Sequence, residues 1–176
     1  LKGPTSMGLV HLMDLNEKGE TGNRYEFTMA AAADELTAKI VSGDLDIALV
    51  PANVSSVLFN KTKGAVSVID INTLGVLDIV ASDDSIQSME DLKGRTIYLT
   101  GKGTTPDYVL RYLLTASGLT EQDVKLEYKS EATEVAALLK EQPDAIGLLP
   151  QPFVTAACMQ NENLKIVLDL TTEWDN

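Results

Sequence analysis

The sequence of 176 residues holds one cysteine, one histidine, one tryptophan and only 5% aromatic residues. A single thiol, Cys158, excludes an intrachain disulfide and any multi-cysteine metal cluster. Set in Val154-Thr155-Ala156-Ala157-Cys158-Met159, it reads as a small apolar residue on a helix. One histidine, His11, excludes a histidine pair, so no metal site is expected. No serine has the Gly-x-Ser-x-Gly setting, no nucleophile–base pair is suggested, and the carboxylates are dispersed. The chain therefore reads as a non-enzyme with no catalytic residue and no cofactor. No apolar run reaches the roughly 18 residues that span a bilayer. Basic residues are scarce as well: 14 against 26 acidic ones, a net charge of −12. Residues 1–88 and 89–176 each carry −6, so neither half offers the basic stripe that nucleic acid requires. The acidity reads as a solvated surface. No charged-then-apolar leader follows Leu1, so any signal peptide is expected to be missing or processed.

What is present is an ordinary globular composition, 44% hydrophobic and 23% charged, arranged twice. A glycine turn feeds a helical pattern at Lys2-Gly3-Pro4-Thr5-Ser6-Met7-Gly8 and again at Gly101-Lys102-Gly103-Thr104-Thr105-Pro106. The second copy follows a strand, Thr96–Leu99, with Thr105 as the expected N-cap, Pro106 at the first helical position and Gly118 as the helix stop. Strands then recur at Tyr25–Thr28 and Val124–Tyr128, and helices at Asp34–Val41 and Thr133–Leu139. Apolar strands closing in proline follow, Asp46–Pro51 and Asp144–Pro150, each leading into another helix. Gly3 to Gly101 spans 98 residues and Pro51 to Pro150 spans 99, so two landmarks share one offset. Between the copies, Ala65–Asp70 and Leu77–Ala81 read as strands. Ser88 with Asp91 then caps a short helix.

Alternating helices and short apolar strands predict an α/β fold with a parallel sheet covered on both faces. Ligands of such sheets bind beyond the carboxyl ends of the strands. The loops at Gly3–Ser6, Pro51–Asn53, Gly101–Thr105 and Pro150–Pro152 all follow strand ends, and two facing lobes would bring them to one cleft. The candidate ligand residues are Gly3, Pro4, Thr5, Ser6, Met7, Ala52, Asn53 and Thr73 in the first copy. In the second they are Gly101, Gly103, Thr104, Thr105, Gln151 and Pro152. Glycines let the backbone approach a ligand, helix N-termini present N–H groups, and Asn53 and Gln151 both donate and accept. The glycine loop is neither a Walker loop, whose spacing it lacks, nor a dinucleotide fingerprint, since Pro106 stands where a third glycine belongs. None of the three arginines, Arg24, Arg95 and Arg111, lies in these loops, which favours a singly charged or neutral solute over a multiply charged anion. Tyr108 and Trp174 are the aromatics able to stack on a planar ligand, with packing the first expectation for Trp174.

These segments, with Asp46-Ile47-Ala48-Leu49-Val50-Pro51-Ala52-Asn53, Asp91-Leu92-Lys93-Gly94-Arg95-Thr96 and Leu149-Pro150-Gln151-Pro152-Phe153, together resemble solute-binding proteins of bacterial ABC transporters. The similarity is to the nitrate, sulfonate, taurine and thiamine-precursor group. It implies a two-lobed type II periplasmic-binding-protein fold, with lobe 1 at 1–82, lobe 2 at 83–168 and a return crossing beginning at 169–176. Members of the group are usually longer, so lobe 1 is expected to be incomplete here, without its return segment. The resemblance also implies hinge closure on a small polar or oxyanion-bearing solute and delivery to an ABC transporter permease. It further implies a monomer located in the periplasm, or outside the cell as a peripheral, lipid-anchored protein. Two alternatives share the fold: a cytoplasmic enzyme like those of the menaquinone pathway, and the effector-sensing domain of a transcription regulator.

Overall fold

Five short segments pair into one sheet, and their period-two alternation decides which side chain serves which face. The structure, a computed structural model, describes residues 3–30 and 33–176; Lys2 of the first motif lies outside the described residues. The chain divides into two compact units, Leu1–Leu74 and Gly75–Asn176.

The first unit has α1 (Pro4–Met7), α2 (Val10–Glu17), α3 (Ala33–Ser42) and α4 (Ala52–Lys61), and no strand among the described residues. Tyr25–Thr28, Asp46–Pro51 and Ala65–Asp70 have strand-like patterns but find no ladder partner there, and a strand needs one for its backbone groups. Apolar side chains in the last of them stay open to solvent; Ile69 is 78% exposed. Buried apolar side chains are few in this unit, with Leu36 and Leu58 the largest.

The second unit contains β1 (Leu77–Ala81), β2 (Thr96–Leu99), α5 (Thr105–Ala116), β3 (Lys125–Tyr128), α6 (Ala132–Glu141), β4 (Ile146–Pro150), α7 (Phe153–Gln160), β5 (Lys165–Asp169) and α8 (Leu170–Asp175). Strand order is β3-β2-β4-β1-β5. β2 pairs in parallel with β3 and β4, whereas β1 is antiparallel to β4 and β5. The parallel sheet expected from the alternation is thus present in β2, β3 and β4 and extended by antiparallel pairing through β1. β1 precedes the helix-connected strands and wedges between β4 and β5, so no crossover helix dictates its direction. Its pairing also places residues 77–81, expected in lobe 1, with the second unit. Residues 169–175, where a return crossing was expected to begin, complete β5 and form α8.

Alternation divides the core in two. Ile79, Ala81, Ile97, Leu99, Ile146 and Leu148 join Leu110, Leu113, Leu114 and Leu170 on the face covered by α5 and α8. Val80 and Leu149 join Val135, Leu139, Val154 and Ala157 on the face covered by α6 and α7. Gly147 belongs to the second face because space there is short: a Cβ would stand 2.9 Å from Leu139 Cδ1 and Val135 Cγ1. Local punctuation frames the elements. Ser88 and Asp91 form the expected capping box around a 3-10 turn at Met89–Leu92. α5 stops where Gly118, at φ 77°, lets the Leu119 N–H return to the Leu114 carbonyl at 2.9 Å.

Candidate functional site

β2 sends its connection through α5 to β3 on one side, while β4 sends its own through α7 to β5 on the other. The two connections leave neighbouring strands in opposite directions, which makes their carboxyl ends a topological switch point, where open α/β sheets hold ligands in a crevice. Gly101, Gly103, Thr104 and Thr105 follow the end of β2, and Gln151 and Pro152 follow the end of β4. The second copy's six expected residues therefore share one end of one sheet.

The β2 loop is tightly wound. Gly101 and Gly103 adopt φ 73° and 72°, a left-handed conformation that strains any residue with a Cβ. The Thr104 N–H and hydroxyl both donate to the Gly101 carbonyl, at 2.9 and 2.6 Å. α5 begins at Thr105, so Thr104 is the N-cap residue and Pro106 the second helical residue, one position earlier than expected. Winding the loop back on Gly101 advances the helix start. It also commits the Thr104 hydroxyl proton to the loop.

Behind the loop lies Asp107, 4% exposed. Its carboxylate accepts from the Gly103 N–H at 2.8 Å, Arg111 Nε at 2.6 Å and the Tyr128 hydroxyl at 2.6 Å. Burial opposes its charge, but these donors outweigh burial and hold the carboxyl below the usual carboxylate range. Burial and the Asp107 acceptor push the Tyr128 phenol up. Bonds to Asp107 and Tyr128 raise the Arg111 guanidinium, which also pairs with Glu121.

On the β4 side the Gln151 amide is oriented by its neighbours. Its Oε1 accepts from the Thr155 N–H at 3.3 Å and the Thr155 hydroxyl at 2.8 Å, while Nε2 donates to Asp78 at 3.5 Å. A backbone N–H can only donate, so the amide oxygen must face α7 and its NH2 must face the strand ends. Asp78 is 7% exposed on β1, opposite Asp169 of β5. Burial first, then the Asp169 charge, raises the Asp78 carboxyl, and the Gln151 bond partly offsets them. Burial and Asp78 also push up the Cys158 thiol, which packs on the core of that face.

In the first unit, Asn72 Nδ2 donates to the Thr5 carbonyl at 3.0 Å and Thr73 Oγ1 donates to Asn72 Oδ1 at 2.9 Å, so Thr73 is linked to the Gly3–Met7 turn through Asn72. Gly3 adopts φ 106° and its carbonyl accepts from the Ser6 N–H at 3.1 Å. Ala52 and Asn53 open α4. Trp174 stacks on Tyr112, ring centroids 4.5 Å apart, and Tyr108 is exposed. At the opposite, amino end of the second unit's sheet, Gly94–Thr96 and Glu141–Ile146 line an open depression of about 550 Å³.

Motif reading does not single out Asp107, Arg111, Tyr128 or Asp78 as site residues. An i, i+4 acid–arginine pair just after a glycine loop is a visible hint. So is an aspartate inside the apolar strand Leu77–Ala81.

The fold is that of type II periplasmic binding proteins. The chain superposes on the periplasmic aliphatic sulphonate binding protein SsuA from Escherichia coli with a TM-score of 0.67 at 20% identity, covering 96% of this chain and 57% of that one. It matches an ABC transporter protein from Parabacteroides distasonis with a TM-score of 0.69 at 23% identity, covering 96% and 56%. A Brucella abortus protein named only as a putative binding protein is 33% identical over 91 residues, 52% of this chain and 28% of that protein. The chain thus spans little more than half the length of these solved structures. Residues 14–167 match the family of phosphonate ABC-transporter periplasmic substrate-binding proteins, and the chain belongs to that family. Among the described residues, no helix is long and apolar enough to cross a membrane.

Proposed function

We propose that this chain is the solute-capturing part of an extracytoplasmic ABC importer, taking a small oxyanion-bearing organic solute of the phosphonate or sulfonate class. The observation that carries this reading is that the Gly101–Thr105 and Gln151–Pro152 loops follow the carboxyl ends of the neighbouring strands β2 and β4, the sheet's switch point, in a member of a phosphonate-binding family. Glycines that let a ligand approach the backbone, the start of α5 and the Gln151 amide at the strand ends are groups of the kind that bind an oxyanion. Thr105, Gln151 and Gly101 are the residues assigned to contact it, with Gly103, Thr104 and Pro152 shaping the loops around them. Gly3, Pro4, Thr5, Ser6, Met7, Ala52, Asn53 and Thr73 are the first unit's proposed contributions. The partner is the permease of an ABC transporter and the location periplasmic. A lipid anchor and a monomeric state belong to the same proposal.

Calorimetry with methylphosphonate, methanesulfonate and an uncharged alkyl alcohol tests the solute class. Binding of either anion, weakened about tenfold by Gln151→Ala, is expected from the loss of a bond to a charged group. Binding of the alcohol alone would contradict the proposal.

A further inference from the structure

One cluster around a buried carboxylate ties the β2 loop to two other elements. Asp107 in the first turn of α5 receives the Gly103 N–H on Oδ2, and Arg111 Nε and the Tyr128 hydroxyl on Oδ1. Arg111 Nη2 donates to the Tyr128 oxygen at 3.0 Å, and Nη1 reaches Glu121. Tyr128, the last residue of β3, also presents its ring to Lys102 Nζ, 5.4 Å from the centroid. One phenol thus touches both the loop's anchor and the loop's own cation. The charged groups facing Asp107 are Arg111, with Glu121 beyond it, and Lys102 across the tyrosine.

A glycine loop has many conformations to lose, and a charge-assisted bond from a buried carboxylate restricts it more than a neutral one. Ordering that loop before solute arrives removes a cost that binding would otherwise carry. We infer that Asp107, Arg111 and Tyr128 are positioning residues for solute capture: they turn the Gly103 N–H inward, set the loop's shape and hold Lys102 over the Tyr128 ring. The purpose assigned to the cluster rests on the proposed function; its hold on the loop does not.

The test uses the whole 15N-labelled chain, wild type and Tyr128→Phe, with Asp107→Asn as a second variant. Three readouts are taken: hydrogen exchange at Gly103, the pH titration of its amide shift, and methylphosphonate affinity by calorimetry. In the wild type the Gly103 amide should exchange slowly and titrate below the ordinary carboxylate range. Tyr128→Phe should speed that exchange about fivefold or more, move the titration upward and weaken methylphosphonate binding about three- to tenfold. Asp107→Asn should abolish the titration. Should Asp107→Asn fail to fold, Tyr128→Phe alone decides, since it removes a single oxygen. Gly103 exchange and titration unchanged in Tyr128→Phe would overturn the inference. A wild type that binds no methylphosphonate would count against the proposed solute class, while Gly103 would still decide the role of the cluster.

Discussion

Asp78 stands directly opposite Asp169 across the antiparallel β1–β5 pair, 7% exposed, with Gln151 Nε2 as its hydrogen-bond donor at 3.5 Å. Like charges opposite one another on a sheet destabilise it, and a buried carboxylate with one long bond adds to that. The pair sits at the sheet end that carries the crevice. Asp169 is partly occupied elsewhere, capping α8 through the Thr171 and Thr172 N–H groups at 2.8 and 3.3 Å.

Asp78→Asn is expected to stabilise the chain at pH 7. The folded-state carboxyl is raised by burial and by Asp169, so the folded protein holds this proton more tightly than the unfolded chain does. The ionised group therefore weakens the fold above its folded pKa, and that penalty disappears as pH falls towards the unfolded value of about 3.9. Thermal unfolding should show a gain of about 1 kcal/mol, or roughly 2–4 °C, at pH 7 that fades by about pH 4. If Asp78→Asn instead lowers stability at pH 7, the charge is wanted there.

Gly147→Ala should destabilise the second unit by about 1–3 kcal/mol through overpacking. The new methyl meets Leu139 and Val135 at 2.9 Å, both in the α6 contact with β4. Urea unfolding measures this loss. Pairing the change with Val135→Ala should recover part of it, because the crowded atom is then gone.

Gly101→Ala and Gly103→Ala should separate backbone strain from collision. Both positions have positive φ, which costs an L-residue about 1–2 kcal/mol. A Cβ at Gly101 also runs into Thr104 Oγ1, whereas one at Gly103 meets nothing within 4 Å. The Gly101 variant should lose more stability and more methylphosphonate affinity. Equal losses would mean that the Thr104–Gly101 contact does not shape the loop.

Much of the second unit is legible in sequence because its elements are punctuated locally. Ser88 with Asp91, Pro106, Gly118 and Pro150 each mark a boundary that the structure keeps within a residue or two. Pairing is not local. Nothing within Leu77–Ala81 says that it runs against β4, and pattern reading passes over Lys165–Asp169 as a strand. Three apolar stretches of the first unit have the pattern of strands yet find no ladder among the described residues. The site divides the same way. Glycine and proline loops announce the crevice, but Tyr128 meets Asp107 from 21 residues away, a contact that only the β2–β3 pairing creates.

Whether solute meets the carboxyl end of the second unit's sheet is tested most directly by titrating the 15N-labelled chain with methylphosphonate and mapping the amide shifts. Shifts should concentrate at residues 101–105 and 151–155, both sets reduced together by Gln151→Ala. Shifts confined to the amino-end depression at 94–98 and 141–146, with residues 101–105 unmoved, would contradict a site at the carboxyl end.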